Sequence, residues 1–177
     1  MNLAKIGFLE SLTLDETSGI MGAILVTDGE TKPLEFRVTA PIKTTNFQKT
    51  LYGDVLLEHV LVELVSIPLI TALNDELDLI LVKDRLFLGA NNKQGLRVVH
   101  IFSQDENQHT PQKGAEELKS HKASGQKVFI QTSPKYEPEL AQIRDLLNSI
   151  SEQRNLLEPF SRLRVACEQV HLQKTNE

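Results

Sequence analysis

The 177-residue chain contains a single cysteine, Cys167, and no run of 18 apolar residues. One cysteine cannot form an intramolecular disulfide and cannot build a cysteine-based zinc site. Without a long apolar run we expect no membrane span. The first residues also lack the basic start and apolar stretch of a signal peptide. These absences are typical of a protein of the reducing cytoplasm.

Motifs of the common enzyme classes are missing as well. The segment from Gly89 to Gly95 does not have the glycine, lysine and hydroxyl spacing of a phosphate-binding loop, and no Gly-x-Ser-x-Gly nucleophile motif occurs. Cys167 falls on the apolar side of a predicted helix, which indicates a buried, inert thiol. Because no acid, base and nucleophile converge in the sequence, we expect no cofactor and no catalytic role.

The composition is that of an ordinary globular protein, with 40% hydrophobic and 24% charged residues. The length suits one hydrophobic core, so we expect a single domain over residues 1–177. The net charge is −5 and is unevenly distributed. Residues 1–110 carry 9 basic and 15 acidic side chains, a net of −6, whereas residues 111–177 carry 10 and 9, a net of +1. The chain as a whole does not have the basic character of most duplex-DNA-binding proteins.

Hydrophobic periodicity predicts an α+β (mixed α/β) fold. Asp28-Gly29 suits the tight turn of an antiparallel β-hairpin over residues 18–40. Behind it we expect a short helix over residues 46–51, capped by Thr44 or Thr45 and stopped by Gly53. A Leu-rich helix over residues 55–66 follows, and Pro68 ends or displaces it. The remaining predicted elements are a strand meander within residues 78–102, a long polar loop at 103–126, a last strand at 127–131, two C-terminal amphipathic helices and a frayed tail at 173–177.

A cationic segment joins the hairpin to the Leu-rich helix. Its sequence, FRVTAPIKTTNFQKTLYG, contains the candidate ligand-binding residues Arg37, Lys43, Lys49 and Tyr52 and almost no acids. A strand-to-helix corner can present such side chains and backbone N–H groups to an anion. The alternative is a purely structural corner, in which the aromatic and leucine side chains pack the helix.

Two further constellations have the spacing of metal sites. His59 and Glu63 stand four residues apart on the predicted helix. Glu35 and Arg37, with Asp28, resemble the acid and E-x-K arrangement of metal-dependent nucleases, but arginine replaces the lysine. A solvated polar stripe and an ordinary hairpin with an exposed charge pair explain these residues better, so we predict no metal site.

The last predicted helix has an apolar row at four- and three-residue spacing, formed by Leu156, Phe160, Leu163, Cys167 and Val170. Such a row packs on another element. Either the sheet of the same chain covers it, or Leu156, Phe160, Leu163 and Val170 bind a partner.

These observations lead to two main functional hypotheses, and they leave a metal-dependent enzyme that uses Glu35 or the His59–Glu63 pair as a third possibility. The first is a non-catalytic accessory subunit that binds another protein or a second copy of itself. The alternative is a protein that binds or processes nucleic acid or a phosphate ligand. It would use the corner at residues 37–52 and the lysines of the segment 113–127.

Overall fold

A computed structural model describes residues 2–14, 19–93, 95–105, 114–119 and 126–175. Seven strands form one mixed sheet in the order β3-β2-β1-β4-β5-β7-β6. β1 is parallel to β4, and β4 is parallel to β5, whereas the other neighbours are antiparallel. The α+β prediction is confirmed. The strands are β1 (Ile6–Thr13), β2 (Ile20–Thr27), β3 (Pro33–Val38), β4 (Leu79–Val82), β5 (Val98–Ser103), β6 (Glu116–Leu118) and β7 (Val128–Thr132).

Helical segments cover both faces of the sheet. Two C-terminal helices, Leu140–Ser151 and Glu158–Thr175, lie on one face. The opposite face is covered by the 3₁₀ segment Arg85–Asn92 and by the core helix, residues 56–72. The corner helix, Asn46–Tyr52, precedes the core helix and is joined to it by the 3₁₀ turn Gly53–Val55.

The hairpin of β2 and β3 forms as predicted, but its turn differs in detail. The Asp28 carboxylate accepts hydrogen bonds from the backbone N–H groups of Glu30 and Lys32, both at 2.9 Å. These bonds lower the pKa of Asp28, the Lys32 amide contributing most. The positive φ of the loop falls on Thr31, at 62°, and not on Gly29. The Asp28 carboxylate therefore stabilises the turn.

The predicted strand meander is wrong. β4 and β5 are parallel and are joined by the 3₁₀ segment instead of by a third strand. The Asp84 side chain starts that segment by accepting a hydrogen bond from the Leu86 N–H at 2.9 Å. At its end, the buried Asn91 side chain pairs with both backbone groups of Val98. A short apolar run is compatible with a strand or with a helix. Here the Asp84 cap stabilises the helical conformation.

The polar loop expected at 103–126 contains a strand. Glu116, Glu117 and Leu118 form β6, which pairs antiparallel with β7 at the sheet edge. The rest of that loop, residues 106–113 and 120–125, lies outside the described residues. The tail expected to fray from residue 173 is helical to Thr175.

The apolar row of the last helix packs on the sheet of its own chain. Leu156, Phe160 and Leu163 are fully buried, and Val170 is half-buried against the same core. Phe160 meets Phe8 of β1 edge to face, with 5.3 Å between ring centroids. This corrects the hypothesis that Leu156, Phe160, Leu163 and Val170 bind a partner, because the sheet already covers them.

The core helix lies unusually close to β2. A Cβ atom on Gly22 would come within 2.3 Å of Cγ1 of Val65, so the helix approaches the strand over a bare backbone. The helix is π-wound over Val60–Ser66, where Ile67 N–H bonds to Val62 C=O. The Ser66 hydroxyl donates to the Leu61 carbonyl at 2.7 Å. The wider turn lets the helix continue through Pro68 to Ala72, and not end there as predicted.

By length and composition, one helical stretch, Asn46–Ala72, could cross a membrane. Gly53 interrupts it, with φ 53° and ψ −129°. The core that the helix forms with the sheet contains its buried side chains Val60, Leu61, Val65 and Leu69. Of the apolar window in this stretch, 33% is buried, so the core accounts for part of its apolar composition.

We expect Gly22→Ala to lower the free energy of unfolding by about 1–3 kcal/mol, the cost of overpacking a well-packed core. Adding Val65→Ala removes the methyl group that the new Cβ would meet. The two substitutions should therefore couple by at least about 1 kcal/mol in a double-mutant cycle measured by urea unfolding. Strictly additive effects would show that the close approach does not exist.

Burial raises the pKa of the Cys167 thiol, and the neighbouring Glu168 adds to the shift. We expect iodoacetamide at pH 8 to modify Cys167 far more slowly in the native protein than in urea, since the thiolate is the nucleophile. Equal rates in the two states would contradict the burial.

Candidate functional site

The corner between β3 and the core helix is built by specific local contacts. Ile42 and Ile20 exchange two backbone hydrogen bonds, of 2.7 and 2.9 Å, which tie the corner to the start of β2. Thr45 then caps the corner helix, and its side chain and that of Gln48 bond reciprocally to each other's backbone N–H groups. This capping box agrees with the sequence, which offered Thr44 or Thr45 as the cap. The corner helix buries none of its residues.

Gly53 turns the chain sharply between the corner helix and the core helix. Its φ of 53° and ψ of −129° lie where residues with a Cβ atom are strained. Across this turn the rings of Tyr52 and His59 stack, with 4.4 Å between centroids and an interplanar angle of 28°. The turn therefore creates an aromatic pair from residues seven apart in sequence.

Three of the four predicted ligand-binding residues lie together at this corner. Lys43 and Lys49 are exposed, and neither forms an ion pair within the part of the chain that the structure describes. Tyr52 belongs to the same helix as Lys49. Arg37 does not join them as a free cation, because its Nε atom bonds to Oε1 of Glu35 at 2.9 Å on β3.

A cleft opens behind the aromatic pair, between the core helix and the 3₁₀ segment. Its first cavity, of about 370 Å³, is lined by Tyr52, Val55, Glu58, His59, Val62, Glu63, Gly89, Asn92 and Lys93. A second, of about 620 Å³, shares Glu58, Gly89 and Asn92 with the first and extends to the end of β7. Gly89 forms part of the floor, where a Cβ atom would meet Glu58 and Val62 at 3.0 Å.

The two carboxylates that the sequence offered as metal ligands, Glu63 and Glu35, already have partners. Glu63 pairs with Lys93 at 3.2 Å, and His59 stacks on Tyr52. Glu35 accepts hydrogen bonds from Arg37 and from the Asn74 backbone N–H. Within the described ranges, no group of three or more His, Cys, Asp or Glu side chains could hold a metal ion. Metal-dependent phosphodiester cleavage uses clustered ligands, so the described residues do not fit a resident metal.

Sequence reasoning missed two contributors to this site. The first is Phe47, whose ring the structural alternative packed against the helix, yet 70% of it is exposed. His59 was weighed only as a metal ligand. The sequence contained one signal of this exposure, which is Gly53. A helix break at Gly53 separates the corner helix from the core, so the apolar side chains of the corner helix stay exposed.

Comparison with solved structures identifies proteins of the same fold. Endonuclease V from Bacillus subtilis matches with a TM-score of 0.61 at 11% identity, over 98% of this chain and 84% of that one. Endonuclease V from Streptomyces avermitilis matches with a TM-score of 0.59 at 9% identity, over 97% and 82%. A variant of endonuclease V from Ciona intestinalis, solved with a 23mer DNA that contains an inosine followed by a ribo-adenosine, matches with a TM-score of 0.51 at 9% identity, over 97% and 86%.

Because the sequence identities are 11% or lower, the structural similarity establishes the fold alone. No family model matches the chain, and no curated protein matches it in sequence.

These likenesses contradict the first functional hypothesis. The three solved structures named above share this fold over nearly the whole chain; they are endonucleases, and one is bound to DNA. The hypothesis of a non-catalytic accessory subunit whose partner is another protein or a second copy of the chain is therefore wrong.

Gly53→Ala tests the geometry of the corner. We expect it to cost about 1–3 kcal/mol locally, because alanine is strained in this backbone conformation, and to separate Tyr52 from His59. The chain has no tryptophan and two tyrosines. In a Tyr136→Phe background, tyrosine fluorescence and near-UV circular dichroism therefore report on Tyr52.

Gly29→Ala is the matched control, because its Cβ would meet only Leu3 O at an ordinary 3.4 Å. The proposed turn would be refuted if Gly53→Ala and Gly29→Ala had the same tyrosine fluorescence, near-UV circular dichroism and melting temperature.

Proposed function

We propose that this chain is a nucleic-acid-binding protein that contacts phosphates at the corner formed by residues 37–52. The observation that carries the proposal is the pair of exposed, unpaired lysines, Lys43 and Lys49, in a segment with no acid between residues 38 and 53. Lysines placed in this way neutralise phosphates and release counterions, which supplies most of the affinity of nonspecific binding.

The fold supports the proposal independently of the lysines. Endonuclease V has this fold, and one of the matching structures holds DNA. The local charge reconciles binding with a net charge of −5, because acids are concentrated elsewhere in the sequence. Arg37 is left out of the binding surface because Glu35 compensates its charge.

The described lysines of the segment 113–127 differ in whether they already have a partner. Lys119 pairs with Glu152 at 3.2 Å, whereas Lys127 is exposed. Lys113 and Lys122 lie outside the described residues. A single domain over residues 1–177 and a cytoplasmic location remain part of the proposal.

A salt titration tests the role of the corner. We expect the double substitution Lys43→Gln/Lys49→Gln to reduce the magnitude of the negative slope of log affinity against log salt by about 1.4–1.8, since each phosphate contact contributes about 0.7–0.9 to it. Fluorescence anisotropy with labelled oligonucleotides, between about 50 and 200 mM salt, measures the slope. The same samples, incubated with Mg²⁺ or Mn²⁺ and run on a denaturing gel, report any cleavage separately.

Lys32→Gln is the matched control, because Lys32 is an exposed lysine in the β2–β3 turn, away from the corner. It should leave the slope unchanged. A slope that the double substitution does not alter would remove the corner from the binding surface. Absence of binding by the native protein even at low salt would overturn the proposed function itself.

A further inference from the structure

The corner presents aromatic faces beside its lysines. Phe47 is 70% exposed, and Tyr52 is 36% exposed with one face covered by His59. Aromatic side chains that accompany a cationic surface stack on unpaired bases, whereas bases within a duplex already stack on both sides. We infer that the corner binds single-stranded nucleic acid in preference to duplex, an inference that rests on the proposed function.

The positions of the rings and lysines suit a strand that crosses the corner helix. Phe47 and Leu51 are four residues apart and share one side of this helix, whereas Lys49 points to another side. Lys43 lies just before the helix. A single strand can therefore place its phosphates at the lysines and its bases at the rings without having to fit a rigid groove.

The cavity of about 370 Å³ behind Tyr52 has the size for one unpaired base. It is near the lower end of the range of about 300–1,000 Å³ for small-ligand pockets. Val55 and Val62 supply an apolar wall, and the Tyr52–His59 pair stands at the opening. A duplex, by contrast, could not enter a cavity of this size.

The charges of the cavity also favour a base over a phosphate. Glu58 and Glu63 line it, and its one lysine, Lys93, is neutralised by Glu63. Carboxylates repel phosphates, but they accept hydrogen bonds from the amino groups of bases. The backbone of the strand is thus directed to Lys43 and Lys49, and the base to the cavity.

Binding of one labelled mixed-sequence 12-mer, as single-stranded DNA, as single-stranded RNA and as the matching DNA duplex, tests the inference. We expect the native protein to bind the single strands at least fivefold more tightly than the duplex. Phe47→Ala and Tyr52→Ala should each weaken single-strand binding by about 5- to 150-fold, the range for loss of one stacked base, and should leave duplex binding unchanged.

Two variants keep the test specific. Leu51→Ala removes an exposed apolar side chain of the same helix that has no ring, and it should have no effect. Tyr52→Phe keeps the ring and should retain at least half of the affinity. Melting temperatures equal to that of the native protein confirm that each variant is folded.

The outcomes separate the inference from the proposed function. Equal affinity for single strands and duplex, or ring variants that do not change binding, would overturn the inference while the lysine contacts remain. Leu51→Ala as damaging as Phe47→Ala would also overturn it, because apolar contact would then replace stacking. No binding to any of the three oligonucleotides would overturn the proposed function.

Discussion

The close contact between the core helix and the sheet sets the position of everything in the candidate site. Gly22 lets Val65 rest on the bare backbone of β2, and Gly89 does the same for Val62 and Glu58 on the 3₁₀ segment. Interiors are packed to near-crystalline density, so a helix seated by such contacts has little freedom to shift. The corner helix, the aromatic pair and the cleft all follow from where this helix begins.

The site combines two electrostatic environments at short range. The corner has exposed lysines and no acids, and the cleft behind it has carboxylates and an internally paired lysine. A ligand that is anionic along one side and rich in hydrogen-bond donors along the other fits both, and a nucleic acid strand has this character.

Local signals in the sequence were informative where they acted through adjacent residues. The hairpin of β2 and β3, the Thr45 cap, the break at Gly53 and the two C-terminal helices were all predictable from spacing and capping chemistry. The 3₁₀ segment was not. Its start depends on one carboxylate, Asp84, and its end on the pairing of Asn91 with Val98. Neither contact leaves a periodic pattern.

By itself, the sequence determined the α+β class, the cationic character of residues 37–52 and the inert setting of Cys167. These properties depend on composition and on neighbours along the chain. Only the tertiary structure decided which side chains stay free to bind: Arg37 is compensated by Glu35, the row from Leu156 to Leu163 is covered by the sheet, and Phe47 is left in solvent. Exposure is the result of long-range packing, and a one-dimensional pattern does not contain it.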